Sequence, residues 1–126
     1  MIQKETYLNI IDNSGVKKVC CIHVYGGYRK RYAYAGDIIL SSIKSMKKVG
    51  PDSKFKKGDI VRILILQTKN IKNSFFFNKI KHYENAGVLI SSAKKFLGSK
   101  IFASVDSTFR YSKFLKVVTM AKGLYK

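Results

Sequence analysis

Seven consecutive residues, Gly26-Gly27-Tyr28-Arg29-Lys30-Arg31-Tyr32, hold the densest chemistry in the chain. The glycine pair frees the backbone to approach a ligand closely. Three adjacent cations between tyrosines offer phosphate charge and stacking faces together, and arginine adds a planar fork for phosphate oxygens. Base–aromatic stacking contributes about 1–3 kcal/mol per base where it occurs. The bland alternative is a solvated hairpin tip with incidental charge. The segment is not a nucleotide cradle, because neither G-x-G-x-x-G nor G-x-x-x-x-G-K-[ST] is present.

The charge of the whole chain argues against the bland alternative. Twenty-five Lys and Arg face seven Asp and Glu, a net charge of +18 over 126 residues. So many unpaired cations on one small domain repel one another, a cost that makes sense beside a polyanion. Solubility alone needs a net charge of magnitude roughly 2–8. Nucleic acid is the usual polyanion and an anionic membrane its rival. A membrane-surface protein wants a basic amphipathic helix with a bulky apolar face, and only residues 113–121 come near one. No stretch reaches the ~18 apolar residues that span a bilayer. Residues 1–5 run straight into a strand-like stretch, with neither an h-region nor an Arg/Ser-rich leader. The chain is therefore expected to be used where it is made, or to have lost a leader.

Further cations punctuate the chain. Lys44, Lys47 and Lys48 lead into a loop at Pro51, and Lys54, Lys56 and Lys57 follow it. Lys69, Lys72, Lys79 and Lys81 are interleaved with aromatics, and Lys94, Lys95, Lys100, Arg110, Lys113 and Lys116 occupy the C-terminal part. This spread favours a protein packed among several RNA segments over a reader of one groove. Enzyme readings are poor. His23 and His82 stand apart, and no nucleophile–base–acid set is suggested by spacing. Cys20 and Cys21 are neighbours that point to opposite faces of a strand, which disfavours a bridge, and no C-x-x-C or His cluster suggests a metal. No cofactor is expected.

Period-two hydrophobicity supplies the elements that must position these groups. Residues 18–25, 37–44, 59–68 and 86–91 read as strands, and 6–11 as a weaker one. In 18–25, Val19, Cys21, His23 and Tyr25 are expected on one face. Five short strands separated by turns imply an all-β fold, a small closed barrel or sandwich. Gly36-Asp37 and Gly58-Asp59 repeat one turn pattern, with Gly at positive φ and Asp bonding the nearby backbone as a strand begins. Asp37 and Asp59 as catalytic carboxylates is the weaker alternative. Residues 69–81 could form a long hairpin reaching from the barrel, and Phe75, Phe76 and Phe77 there divide evenly between core packing and contact with RNA or protein. Residues 104–111, with Ser104 as N-cap, and 113–121 read as short helices. Phe114, Val117, Val118 and Ala121 make an apolar stripe for packing on the barrel or a partner. One domain is expected over 1–126, with the barrel in about 1–92 and the C-terminal loop and helices in about 93–126.

Laid in order, these segments resemble the universal large-subunit ribosomal protein L-fourteen family. The resemblance is carried by Met1-Ile2-Gln3, Asp12-Asn13-Ser14-Gly15, Cys21 to Gly27, Tyr32 to Ile39, Lys56 to Val61, Glu84 to Ile90, Gly98 to Phe102 and Phe114 to Val118. It covers nearly the whole chain. It implies a five-stranded barrel with a protruding β-ribbon and small C-terminal helices, a structural and non-enzymatic role, and a seat on the large subunit near the face that meets the small one. The implied partners are large-subunit rRNA, small-subunit rRNA across an intersubunit bridge, neighbouring L-nineteen-like and L-three-like proteins, and a ribosome silencing factor. On that reading Tyr28, Arg29, Lys30, Arg31, Tyr32, Lys44, Lys47, Lys48, Lys56, Lys57, Lys69 and Lys81 meet RNA. Ser99, Lys100, Arg110, Lys113 and Lys116 form the intersubunit or protein-partner surface, with Ser99, Lys100 and Lys116 in the silencing-factor region.

The chain departs from the family pattern where Gln67 replaces a usual Arg, where His82-Tyr83 replaces Phe-Asp, and across residues 72–80, which lack the usual Asp-Gly turn. Lys outnumbers Arg by 21 to 4, and Ile, Phe, Tyr and Asn are plentiful, all residues of A+T-rich codons. A mitochondrial ribosome, with the chain encoded in the organelle, is therefore favoured over a plastid or an A+T-rich bacterium. The rival function is a free single-strand-binding module of the oligonucleotide-binding type, which would need a groove lined with aromatics.

Overall fold

The computed structural model describes residues 1–47, 53–69 and 82–125. Lys48, Lys81, Phe75, Phe76 and Phe77, and with them the expected ribbon beyond Lys69, lie outside the described residues.

The expected strands all form, within a residue or two of their expected ends. They are β1 (Tyr7–Ile10), β2 (Val16–Val24), β3 (Ile38–Met46), β4 (Ile60–Gln67) and β5 (Ala86–Ile90). They close into a barrel in chain order, antiparallel at each step until β5 returns to pair with β1 in parallel. The all-β barrel is thus as the alternating pattern implies. Inside it pack Leu8, Ile10, Val16, Val19, Cys21, Ile39, Ile43, Ile63, Ile65 and Leu89. Full burial of each large aliphatic side chain contributes roughly 1.5–3 kcal/mol.

A second core lies outside the barrel wall. Leu64 and Leu66 of β4 and Val88 and Ile90 of β5 turn their backs on the first core and pack against Phe96, Ile101, Val105, Phe109 and Val117. That double burial explains why β4 and β5 read as continuous apolar runs rather than alternating ones. The covering segment comprises β6 (Ile101–Asp106), a 3₁₀ turn (Ser107–Tyr111), α1 (Leu115–Met120) and β7 (Ala121–Tyr125). β6 and β7 pair in parallel, with the turn and α1 as the crossover that a parallel pair requires.

Two expectations are corrected. Residues 104–111 are not one helix capped by Ser104. Ser104, Val105 and Asp106 complete β6, and the 3₁₀ turn begins afterwards, capped by Asp106, whose Oδ1 accepts from the Thr108 N–H at 3.0 Å. Ser and Asp are comparable cap formers, and the burial of Ile101 and Val105 at even spacing extends the strand past the first of them. The face assignment in β2 also fails at its end. The β2–β3 ladder steps from Cys21↔Ser41 to His23↔Leu40, leaving Ile22 as a bulge. The bulge reverses the phase, so Val24 joins Val19 and Cys21 in the core and His23 faces solvent. The stripe on α1 behaves as expected: Val117 is buried, and Phe114, Val118 and Ala121 pack against the outer core.

The two Gly-Asp turns are structural twins. Gly36 has φ 94° and Gly58 φ 93°. The Asp37 carboxylate accepts from the Tyr34 N–H at 2.9 Å, and that of Asp59 from the Lys56 N–H at 2.8 Å. Each glycine N–H then donates across the β3–β4 pair, Gly36 to the Ile65 carbonyl and Gly58 to the Ile43 carbonyl, both at 2.8 Å. The turns therefore define the opposite ends of one antiparallel pair.

Gly87 on β5 is required by packing rather than by φ. A Cβ there would lie 2.5 Å from Ile63 Cγ2 and 2.7 Å from the Leu64 carbonyl oxygen. Gly87→Ala is expected to lower stability by about 1–3 kcal/mol through overpacking. Ser41→Ala is expected to be neutral or stabilising, because the buried Ser41 hydroxyl finds no partner among the described residues. Urea denaturation of the two variants checks both signs.

Candidate nucleic-acid interface

The glycine-rich loop leaves β2 through Gly26 (φ 117°) and Gly27 (φ 133°), and Arg29 also takes a left-handed conformation at φ 56°. An added Cβ at Gly27 would meet nothing within 4 Å, so the backbone there is open to close approach. Tyr28 is 89% exposed, and the Arg29 guanidinium lies 5.1 Å from its ring centroid. Arg31 and Tyr32 are exposed as well. Lys30 behaves differently. Its ammonium folds back to the Asp37 carboxylate at 3.1 Å, and its stem lies close above Gly26.

The far end of the loop is pinned to the N-terminus. Ile2 and Ala33, both fully buried, exchange two backbone hydrogen bonds of 2.8 and 2.7 Å. This contact places Gln3 and Lys4 opposite the loop. Between them opens a cleft of about 470 Å³ lined by Gln3, Lys4, His23, Val24, Gly27, Arg29, Lys30 and Arg31. Lys4, Arg29 and Arg31 carry no ion pair among the described residues, and no carboxylate lines the cleft. Lys4 and His23 were missed by sequence reasoning. The available signal for His23 was the strand phase, which the bulge at Ile22 reverses.

The remaining expected residues do not gather into this cleft. Lys69 lies at the same end of the barrel, where its N–H donates to the Asn85 side chain at 2.9 Å. Lys56 and Lys57 belong to the Gly58-Asp59 turn and so to the opposite end. Lys47 joins them there, with its N–H on the Gly15 carbonyl and its ammonium 5.2 Å from the Phe102 ring centroid. Lys44 is exposed at an irregularity of the β2–β3 ladder, which passes from Ile43 to Ser45. Tyr28 and Phe102, both exposed, thus sit at opposite ends and line no common groove.

Ser99 and Lys100 are exposed but tightly placed. The Asn13 Oδ1 accepts from the Ser99 N–H at 2.9 Å and the Lys100 N–H at 3.3 Å. Asp12, fully buried, accepts from the Leu89 N–H at 2.9 Å and the Ser14 N–H at 3.0 Å. The turn Asp12-Asn13-Ser14-Gly15 therefore clamps both β5 and the segment bearing Ser99 and Lys100. Arg110, Lys113 and Lys116 are exposed along the 3₁₀ turn and α1. Gln67 is not idle: its Nε2 donates to the Ser104 carbonyl at 3.1 Å and ties β4 to β6. Arg62 donates to the Ser92 carbonyl at 3.1 Å and stacks over Tyr25.

No group of three His, Cys, Asp or Glu that could hold a metal occurs among the described residues. Nor is any helix among them long and apolar enough to cross a membrane. Cys20 and Cys21 are free thiols. Burial, reinforced by the neighbouring Cys20, pushes the Cys21 thiol up to about 11. Burial holds the His82 imidazole below its usual range against an opposing pull from Asp106.

Fold and surface together define a class: a small closed β-barrel with exposed cations at both ends and an outer wall sealed by its own C-terminal segment. A family model described as Ribosomal protein L14p/L23e matches residues 1–125, and the chain belongs to that family, whose members are proteins of the large ribosomal subunit. Membership implies a place on the ribosome and association with rRNA and other ribosomal proteins.

Because its folded-state pKa is raised, Cys21 stays a protonated thiol through neutral pH and ionises only as the pH approaches about 11. Iodoacetamide at pH 8 is expected to label the half-buried Cys20 first and spare Cys21 until the protein unfolds. Peptide mass spectrometry of native and urea-treated samples tests this, and equal labelling of both thiols in the native protein contradicts it.

Proposed function

We propose that this protein is a structural, non-catalytic constituent of the large ribosomal subunit. It binds large-subunit rRNA near the subunit interface and contributes to an intersubunit bridge. The observation that carries this reading is the placement of exposed cations at both ends of the barrel, in a chain of net charge +18. Tyr28, Arg29, Arg31, Tyr32 and Lys69 would face RNA at one end, and Lys47, Lys56 and Lys57 at the other, with Lys44 on the strand between them. Lys30 would act from within the cleft. Phosphate contacts of this kind position a protein and carry little sequence information.

The surface of Ser99, Lys100, Arg110, Lys113 and Lys116 would meet the small subunit's rRNA or a protein partner. An L-nineteen-like protein, an L-three-like protein and a ribosome silencing factor are the proposed protein contacts. Support comes from the clamp by Asn13, which presents Ser99 and Lys100 in one fixed geometry. The ratio of 21 Lys to 4 Arg supports a mitochondrial ribosome and an organellar gene.

With 6–10 phosphate contacts, affinity for isolated large-subunit rRNA is expected to fall about 10³–10⁵-fold between 50 and 200 mM salt. Arg31→Ala should weaken binding evenly across sequences and flatten the salt slope by about one. In sucrose gradients at moderate salt the protein should travel with large particles. A salt-insensitive affinity, or a protein confined to the light fractions, would overturn the proposal.

A further inference from the structure

We infer that the cleft between the N-terminal segment and the glycine-rich loop is a pocket for one unpaired nucleotide of RNA, with the base against His23 and the phosphate among Lys4, Arg29 and Arg31. The inference rests on the rRNA-binding reading above and names what that site takes.

Three observations converge. The first is size and sign: about 470 Å³ of open space is lined by four cationic side chains, of which only Lys30 is held by a carboxylate, that of Asp37 outside the lining. A duplex presents its phosphates along a continuous convex backbone, whereas a concave cationic pocket suits a single extruded unit. The second is His23. The bulge at Ile22 turns its ring out of the barrel and into the cleft lining. Tyr25 meets it edge-on, with ring centroids 5.3 Å apart and planes at 88°. An exposed ring braced in this way is a platform, and unpaired bases stack on His as on other aromatic side chains. The third is backbone access. Gly27 lines the same cleft with φ 133° and open space where a Cβ would stand. A nucleotide can therefore approach the main chain there without meeting a side chain.

Lys30 sets the shape of this pocket. With its ammonium on Asp37 and its stem close above Gly26, it ties the loop's basic run to the start of β3. It is a positioning residue, and Arg29 and Arg31 are left to meet phosphate.

Two RNA hairpins of the same stem sequence test the inference, one fully paired and one with a single bulged adenosine. Their binding to the full chain is followed by fluorescence anisotropy at moderate salt. The bulged hairpin is expected to bind about five- to hundredfold more tightly, the range of one base stacked on an aromatic side chain. His23→Leu should abolish that preference and His23→Phe should retain it, while the salt dependence of both variants stays as in the parent. Equal affinity for the two hairpins, or a preference that survives His23→Leu, overturns the pocket and leaves the wider rRNA-binding reading standing. Failure to bind either hairpin or large-subunit rRNA would overturn both. Circular dichroism of the variants confirms that an exposed strand residue has been changed without loss of fold.

Discussion

A sheet of five strands becomes a barrel only if its first and last strands meet, and here that seam is short. β1 and β5 share just two paired positions, Asn9↔Ala86 and Ile10↔Gly87, in the parallel arrangement that is slightly less stable per residue. Backbone bonds from Asn9 to the Asn85 carbonyl and from Ile11 to the Gly87 carbonyl carry it a little further. Side chains then extend it at both ends. Asn9 donates to Glu84 at 2.7 Å, and the buried Asp12 carboxylate takes the Leu89 N–H where the backbone ladder has run out. Without that carboxylate the Leu89 donor would be buried and unsatisfied, at a cost of about 1–3 kcal/mol. The Asp12-Asn13-Ser14-Gly15 turn thus closes the barrel with one residue and holds the Ser99-Lys100 segment with the next.

Closure also decides where the C-terminal segment must go. Once Ile63, Ile65 and Leu89 fill the interior, the intervening Leu64, Leu66, Val88 and Ile90 are left on the outside of the same wall. That wall is too apolar to face water, and β6, the 3₁₀ turn and α1 cover it. Arg62 and Gln67 fasten the cover by donating to the Ser92 and Ser104 carbonyls. The β4–β5 side of the barrel is therefore covered by the protein itself, whereas Lys17, Lys18 and Ile22 on β2 and Lys44 on β3 stay exposed.

Much of this is legible in the residues, and the failures share a cause. Alternation marks β2, runs rich in β-branched residues mark β4 and β5, and the repeated Gly-Asp pairs mark two turns, because all of these signals are local. The glycine-rich basic run was visible for the same reason. The cleft was not, because Lys4 and His23 reach it through the Ile2–Ala33 contact and a bulge, neither of which leaves a periodic mark. Asp12 and Asn13 read as turn formers, yet their bonds run to Leu89, Ser99 and Lys100, more than seventy residues away. The last three residues of β6 read locally as the start of a helix because Ser104 is a good cap, and only the outer core shows that the cap is Asp106 instead. Among the described residues β7 pairs only with β6, so an isolated reading of residues 121–125 has nothing to anchor it.

The same geometry explains how one small fold tolerates its charge. β3 has nine residues, which span about 30 Å along the strand at the usual rise. The glycine-rich loop enters it at one end, and Lys47 leaves it at the other. Screening in physiological salt acts over about 8 Å, so the two cationic ends scarcely repel each other through solvent. Repulsion within each end remains. Beside the cleft it is partly relieved by Asp37, which takes Lys30 out of competition with Arg29 and Arg31. What is left is a concentration of positive charge at each end, held by a scaffold that cannot collapse to dilute it. A polyanion reaching either end neutralises charge that folding has already gathered, and the energy of gathering it becomes energy of binding.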